Sequence, residues 1–185
     1  MAISALLSLI AAFVLSVEAF TLANDSGAAL SCNINVILNC ASVMQHPSAE
    51  LFGFPNSFLG LIAEPIVITV AIAGLVGIHF PRSFMAAAQI GYGLGLIFAF
   101  YLFFISAFVI EALCPWCLLV TLSTTLVFAS LLRYNIREDN LYLPKKMNKT
   151  LQQWVIKDYD KFLTALILFG LVAFIFFKYG TALFA

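Results

Sequence analysis

Two cysteines separated by two residues, in the segment Ala-Leu-Cys-Pro-Trp-Cys, are the part of the sequence best suited to chemistry. Cys114 and Cys117 stand at the start of a long apolar run, and the chain has only two other cysteines, Cys32 and Cys40. A Cys-x-x-Cys spacing is typical of a redox-active dithiol or of half of a metal site. The choice between them depends on which side of a membrane the four thiols occupy.

The residues between the two cysteines predict how the pair is held. Because proline is favoured at the first position of a helix, Pro115 predicts Cys114 as the N-cap and Cys117 one turn inside. A helix N-terminus stabilises a thiolate, and Cys-x-x-Cys motifs commonly have lowered thiol pKa values. We expect Cys117 to point into the bundle and Cys114 toward the aqueous edge. Such a dithiol can exchange with another dithiol outside and with a lipid-soluble oxidant, such as a quinone, inside.

The composition predicts a membrane protein. Of the 185 residues, 63% are hydrophobic and 10% are charged, and the mean hydropathy is +1.06. Soluble domains are about half apolar and about one quarter charged. We therefore expect an all-α integral membrane protein with a single transmembrane domain over residues 1–185. The formal net charge of zero gives no indication of nucleic-acid binding.

Five apolar segments are long enough to cross a bilayer, which requires about 20 residues. The first segment lacks the basic residue and the small-x-small site of a cleaved signal peptide, so it is interpreted as a span. Five spans leave a loop over residues 24–56 and a polar connection over residues 133–161. The spans cover approximately residues 3–23, 57–80, 84–110, 114–132 and 162–177.

The basic residues predict the orientation of the spans. Loop 24–56 contains no Lys or Arg, whereas most of the basic residues of the chain lie in the connection 133–161. The positive-inside rule places that connection in the cytoplasm and the loop outside. All four cysteines then lie on the extracytoplasmic side of the cell inner or plasma membrane, where disulfides form and persist.

The cysteines leave three interpretations open. Redox exchange is favoured. The alternative is a non-catalytic membrane scaffold or transporter with two structural disulfides, but a Cys-x-x-Cys bridge closes a loop too small to add much stability through chain entropy. A tetrahedral zinc site is disfavoured, because the spacing Cys32-x7-Cys40 is too long for a zinc knuckle.

Four features together resemble the bacterial branch of the vitamin K epoxide reductase family. By that likeness, four helices form a bundle around a quinone, capped by loop 24–56, and a fifth helix lies beside them. The DsbB type of quinone-linked disulfide generator has its Cys-x-x-Cys pair first in the chain, whereas here it comes second. The features are Cys32-x7-Cys40, the segment Phe52-Gly53-Phe54-Pro55-Asn56-Ser57-x-x-Gly60, Cys114-x-x-Cys117, and their order along the chain.

The resemblance implies a membrane thiol:quinone oxidoreductase that drives disulfide bond formation. Cys114 and Cys117 resemble the active-site pair, with Cys117 nearest the quinone. Cys32 and Cys40 resemble the shuttle pair that takes electrons from a thioredoxin-like protein. We expect Cys32 to face that protein and Cys40 to hand electrons to Cys114.

The likeness also implies roles for the cofactor-binding residues. Asn56 resembles the group that hydrogen-bonds a quinone carbonyl, and Ser57 its neighbour at the helix cap; helix capping alone is the alternative. Menaquinone and ubiquinone both fit the sequence. Vertebrate members have a tyrosine where this chain has Thr121, which favours quinone reduction over epoxide reduction. Many bacterial members carry a fused thioredoxin-like domain after the fifth helix. None follows the fifth span here, so the expected partner is a separate exported thioredoxin-like or DsbA-like thiol protein.

Two carboxyl groups lie within the predicted spans. Glu64, about 10 Å inside the second span, could supply protons for quinone reduction or could be hydrogen-bonded to a neighbouring helix. Glu18 lies near the extracytoplasmic boundary, where snorkelling of its side chain explains it.

Overall fold

The computed structural model describes residues 1–25, 27–28 and 30–183. These residues form seven α-helices, with a short 3₁₀ helix before the third and a π-helical turn after the fourth. The α-helices are α1 (Ala2–Asn24), α2 (Cys40–Met44), α3 (Ser57–Leu75), α4 (Arg82–Ile105), α5 (Pro115–Arg137), α6 (Lys145–Ile156) and α7 (Tyr159–Leu183).

Five helices, α1, α3, α4, α5 and α7, are long and apolar enough to cross a membrane, which confirms the five predicted spans. Their outer faces carry apolar side chains such as Leu75 and Phe177, which are 83% and 91% exposed. Surface of this kind is stable in lipid, where helices satisfy their own backbone hydrogen bonds. The chain is a multi-pass membrane protein.

Three of the predicted helix ends are wrong, including that of α7, which continues to Leu183 rather than ending at Phe177. Helix α3 ends at Leu75 rather than at Phe80, because Gly77 adopts a left-handed conformation with φ of +88° and such a residue terminates many helices. Helix α5 continues to Arg137 rather than ending at Leu132. These ends were predicted from hydropathy. Hydropathy identifies the residues that lie within the bilayer, and a helix can end before or after that boundary.

Residues 133–161, predicted as a solvated polar connection, are largely helical. The last turn of α5, the whole of α6 and the start of α7 occupy this segment. Helix α6 has lysines on one side and an apolar side that includes Val155, which is 2% exposed. Arg133 joins the two ends of the segment through Asp160 at 2.8 Å and Asp158 at 2.7 Å.

The transmembrane helices are arranged as four around a cavity and one outside. Helices α1, α3, α4 and α5 line the cavity, and α7 packs against α5 and α6. Helices α1 and α3 approach each other closely, because a Cβ at Gly60 would lie only 2.8 Å from the Cβ of Ala12. The glycine of the Asn-Ser-x-x-Gly segment therefore permits this contact. The predicted four-helix bundle with a fifth helix beside it is confirmed.

The described residues between α1 and α3 form a cover over one end of the bundle. We call it the cysteine end, because all four cysteines lie there, and the opposite end, where Arg133 lies, the basic end. The cover pairs with the segment before α5: Leu113 N donates to Ile37 O at 2.7 Å, and Asn39 N donates to Leu113 O at 3.0 Å. This pairing fixes the cysteines of the cover against the start of α5.

Candidate active site

The Cys-x-x-Cys pair lies where α5 begins. Cys114 is the N-cap residue, with φ of −100° and ψ of 118°, and its carbonyl oxygen accepts a hydrogen bond from Leu118 N at 3.0 Å. Pro115 takes the first helical position, where no N–H is needed. Cys117 lies one turn further and lines the cavity, and both cysteines are free thiols. The predicted placement of the pair on the helix is confirmed.

The other two cysteines form a disulfide that contacts this pair. Cys40 begins α2, whose N-cap Asn39 accepts a hydrogen bond from Ser42 N at 3.0 Å. Cys40 Sγ lies 2.8 Å from Cys114 Sγ, and the sulfur atoms of Cys32, Cys40 and Cys114 all lie within 4.8 Å of one another. A thiol in contact with a disulfide sulfur is the arrangement that thiol–disulfide exchange requires. Since two of the three sulfurs are joined, they do not offer three thiolate ligands to a metal in this state.

Cys114 does not lie at the aqueous edge, and that prediction is wrong. Its side chain is 1% exposed, because the cover closes over it. Leu15, Leu30 and Trp116 pack around the sulfur atoms. The prediction assumed that the N-terminus of this helix faces water. Hydropathy does not reveal that the cover folds over it. Cys114 contacts Cys40, which is 0% exposed, and Cys32, expected to face the partner protein, is also buried, at 3% exposed.

The surroundings of Cys114 favour its thiolate form. A hydrogen bond from the Cys117 thiol lowers the pKa of Cys114, and the backbone N–H groups of Cys117 and Trp116 lower it further. Burial and the Glu18 carboxylate act in the opposite direction, yet the pKa of Cys114 stays below its ordinary value. A thiol with a lowered pKa is a good leaving group in disulfide exchange.

A cavity of about 420 Å³ lies between α1, α3, α4 and α5 and reaches the cysteine pair. Most of the side chains around it are apolar, such as Leu15, Val67 and Phe98. A largely apolar wall with a few placed polar groups is typical of a site for a small organic ligand. The polar residues of the wall include Cys117, Asn56, Ser57, Glu64, Tyr92, Thr121 and Thr124.

The structure places Asn56 and Ser57 in the cavity wall. Asn56 is the N-cap residue of α3, but its side chain makes no cap hydrogen bond. Its Nδ2 donates to Ser48 O at 2.7 Å, and its buried Oδ1 has no partner among the described residues. Helix capping therefore does not explain Asn56, whose amide retains hydrogen-bonding capacity. Ser57 Oγ lies 2.9 Å from Ser16 Oγ and links α3 to α1.

Glu64 is hydrogen-bonded to a neighbouring helix and also lines the cavity, so the structure is compatible with both interpretations of this residue. Tyr92 of α4 donates a hydrogen bond to Glu64 Oε1 at 2.8 Å, so the carboxyl group is bonded to a neighbouring helix. The side chain is also 3% exposed and lines the cavity. Its Oε2 accepts no hydrogen bond of ordinary geometry in the described part of the chain, but the buried hydroxyl group of Ser8 lies close enough to interact with the carboxyl group. The cavity wall thus contains a buried carboxyl group that is hydrogen-bonded to Tyr92 through one oxygen and lies near Ser8.

Glu18 is the residue of the site that sequence reasoning missed. It was predicted to snorkel, but it is 7% exposed, and its Oε2 lies 3.1 Å from Cys32 Sγ. Its Oε1 accepts hydrogen bonds from both the N–H and the hydroxyl group of Ser31. The sequence contained one indication of a functional role for Glu18: it is an ionisable residue near the end of a span, on the side of the membrane that carries the cysteines.

The fold and the site together define a polytopic membrane protein with a thiol–disulfide centre beside an apolar cavity. The family model described as "Vitamin K epoxide reductase family" matches residues 1–132, and the chain belongs to this family. That range includes both cysteine pairs and all but the last turn of the four-helix bundle. No curated protein matches the chain. Membership implies a membrane thiol/quinone oxidoreductase, and it supports the predicted family over the DsbB type.

Proposed function

We propose that the protein accepts electrons from an exported thioredoxin-like or DsbA-like thiol protein and passes them to a quinone, thereby driving disulfide bond formation. The observation that carries this proposal is the 2.8 Å contact between Cys40 Sγ and Cys114 Sγ, beside a cavity that Cys117 lines. The contact connects the two cysteine pairs. The position of Cys117 in the cavity wall connects the Cys114/Cys117 pair, here called the inner pair, to a site for a lipid-soluble acceptor.

Electrons pass between the two pairs by disulfide exchange. The partner's thiols reduce the Cys32–Cys40 bond, and Cys40 then attacks Cys114 while Cys117 leaves as a thiolate. Cys32 next attacks Cys40 and releases Cys114, so the inner pair holds both electrons. The described arrangement, with Cys32 bonded to Cys40 and the other two thiols free, corresponds to this last state.

The residues of the cavity fit a quinone. Its volume of about 420 Å³ and mostly apolar wall accommodate a ring with an isoprenoid chain. Asn56 would hold a carbonyl oxygen through its second N–H, and Glu64 would hold a proton at Oε2 for the site. A quinone supplies an acceptor for two electrons and two protons. Cys117, in the same wall, would deliver the electrons.

Orientation follows from charge in this proposal. The cysteine end faces the extracytoplasmic side and the basic end the cytoplasm, because lysines and arginines concentrate at the latter. Thr121, which lines the cavity and donates to Cys117 O at 3.0 Å, stands where vertebrate members have tyrosine. We therefore propose reduction of menaquinone or ubiquinone, and not of an epoxide.

The test is quinone reduction by the purified protein, followed by absorbance, with reduced thioredoxin as the donor. Wild type is expected to reduce the quinone and Cys117→Ala is expected to be inactive. Cys32→Ala is the matched control, since it is expected to lose activity with thioredoxin but to retain activity with a small dithiol that enters the site. A folded wild type that reduces neither quinone with any thiol donor would contradict the proposal and favour structural disulfides.

A further inference from the structure

The buried carboxyl group of Glu18 contacts a reacting sulfur atom. Glu18 Oε2 lies 3.1 Å from Cys32 Sγ, and only 7% of the residue is exposed. When the disulfide is reduced, a thiol at this position has the carboxylate as a hydrogen-bond acceptor. The other thiols on which Glu18 acts electrostatically are Cys114 and Cys117. Glu18 is thus placed to act on proton transfer during exchange.

We propose that Glu18 is a catalytic residue that removes the proton of the Cys32 thiol and later returns it. The inference rests on the proposed function, because it assigns the base for one of its exchange steps. A thiol attacks a disulfide only as a thiolate, and an ordinary cysteine with a pKa near 8.5 is only about 1% thiolate at pH 6.5. In a buried site without ready access to water, a base within hydrogen-bond distance overcomes this shortage.

The step that needs the base is the release of the inner pair. After Cys40 has joined Cys114, the Cys32 thiol gives its proton to Glu18 Oε2, and its sulfur attacks Cys40 Sγ. The bond between Cys32 and Cys40 forms, the bond between Cys40 and Cys114 breaks, and Cys114 leaves as a thiolate. Cys32 is oxidised, Cys40 remains in a disulfide, and Cys114 is reduced by the electron pair of the broken bond. The proton is then on Glu18.

The same proton is used again when the donor protein arrives. Its thiols reduce the Cys32–Cys40 disulfide, and Cys32 leaves as a thiolate that lies against the protonated Glu18. Glu18 returns the proton, and its carboxylate is restored for the next cycle. No outside acid or base is required at Cys32.

A purely structural role for Glu18 is the competing explanation. Its Oε1 accepts two hydrogen bonds from Ser31, and these tie the cover to α1. Glu18→Gln separates the two roles, because an amide oxygen still accepts hydrogen bonds from Ser31 but the amide cannot take up a proton. Ser31→Ala is the complementary change, since it weakens the tie and leaves the carboxylate beside Cys32.

The experiment measures exchange between the two pairs without a quinone present. Full-length protein in detergent is oxidised, freed of oxidant, mixed with dithiothreitol and quenched with acid at intervals. Mass spectrometry of alkylated peptides then follows the Cys40–Cys114 mixed disulfide and its conversion. Relative to wild type, Glu18→Gln is expected to be about 100-fold slower in this conversion at pH 6.5 and to approach parity near pH 8.5. Glu18→Asp is expected to recover part of the rate at pH 6.5.

The controls decide between the explanations. Glu111→Gln removes an exposed carboxyl group of the cysteine end and is expected to match wild type at every pH. A Glu18→Gln variant with the wild-type pH profile, or a Ser31→Ala variant that reproduces its loss, would overturn the role of Glu18. Failure of the proposed function looks different, because wild type itself would then show no exchange between its two cysteine pairs.

Discussion

Two buried carboxyl groups, Glu18 and Glu64, lie toward the cysteine end of the bundle but in different surroundings. Oε1 of Glu18 accepts hydrogen bonds from Ser31, and Oε2 lies 3.1 Å from Cys32 Sγ, which has no proton to donate while it is in the disulfide. Glu64, in the cavity wall, uses one oxygen to accept a hydrogen bond from Tyr92, and its carboxyl group also lies near the buried hydroxyl group of Ser8. Glu18 therefore lies beside the sulfur atoms, and Glu64 lies in the wall of the cavity.

The difference shows how one small bundle can separate two chemistries. Disulfide exchange moves electrons between sulfurs and needs thiolates, whereas reduction of a quinone consumes protons inside a membrane, where water is scarce. In the proposed scheme each process uses its own carboxyl group, and Cys114 and Cys117 take part in both processes. Under our proposals, a change at one carboxyl group affects one half of the reaction only, and this separation can be tested.

The largest effect is expected from Cys114→Ala, because Cys114 is the sulfur that joins the two regions. Without it, Cys40 has no disulfide to attack, and electrons from a donor protein cannot reach the cavity. Quinone reduction is expected to fall by at least about 1,000-fold, as when an enzyme loses its nucleophile. Absorbance of the quinone with reduced thioredoxin as donor measures this. Activity within tenfold of wild type would show that electrons bypass Cys114.

Glu64→Gln is expected to slow the quinone half of the reaction by about 100-fold, the lower end of what general acids contribute. The exchange between cysteine pairs is expected to be unchanged, because Glu64 does not contact the sulfurs. Rapid mixing of the prereduced protein with a ubiquinone analogue isolates the quinone half. Tyr92→Phe is the matched variant, since it removes only the hydrogen bond and keeps the carboxyl group. Equal slowing of both halves by Glu64→Gln would mean that the bundle is distorted.

Asn56→Ala is expected to weaken quinone binding and not the exchange of disulfides. One hydrogen bond contributes about 0.5–1.5 kcal/mol, so KM for the quinone should rise about 2- to 13-fold. The measurement is the dependence of initial rate on quinone concentration. Ser57→Ala is the control, because the hydroxyl group of Ser57 is paired with Ser16. A loss in kcat with no change in KM would place Asn56 in the chemical step instead of in binding.

The sequence predicted the spans, the bundle and the position of Cys114 on its helix, because each depends on local patterns. Hydropathy over about 20 residues identifies a span, and a proline after a cysteine identifies a helix start. Cys-x-x-Cys and the order of the pairs carried the family resemblance. Apart from the order of the pairs along the chain, these properties are encoded in short contiguous segments.

The contacts that make the site depend on segments far apart in the chain, and local patterns do not contain them. The burial of Cys114 and its contact with Cys40 depend on how the cover folds back onto Leu113. Glu18 is separated from Cys32 by the residues that join α1 to the cover, so its distance from that sulfur could not be derived from spacing. Helix α6 was missed because its lysines lower the mean hydropathy of the segment. It is an amphipathic helix, with a polar face opposite an apolar face, and mean hydropathy does not detect that pattern.

The smallest effect is expected at the basic end, where Asp158 provides an exposed carboxylate for comparison with the two buried ones. Hydrogen bonds from Lys161 and Arg133 lower the pKa of Asp158 below its ordinary value of 3.8. Its stabilising contribution is therefore complete above about pH 3.8 and is lost as the pH falls through the lower pKa of the folded state. Asp158 has φ of +57°, a conformation that asparagine also tolerates.

Asp158→Asn should consequently lower the melting temperature only slightly, by about 1 to 2 °C at pH 7 and low salt. The difference from wild type should shrink in high salt and vanish at a pH well below 3.8, where the carboxyl group of both states is protonated. Thermal unfolding in detergent at several pH values measures it, and the rate of quinone reduction should not change. A difference that persisted in acid would mean that Asp158 stabilises the turn by its shape and not by its charge. A loss of quinone reduction would mean that the basic end also contributes to activity, so that Asp158 could not serve as a non-functional comparison for Glu18 and Glu64.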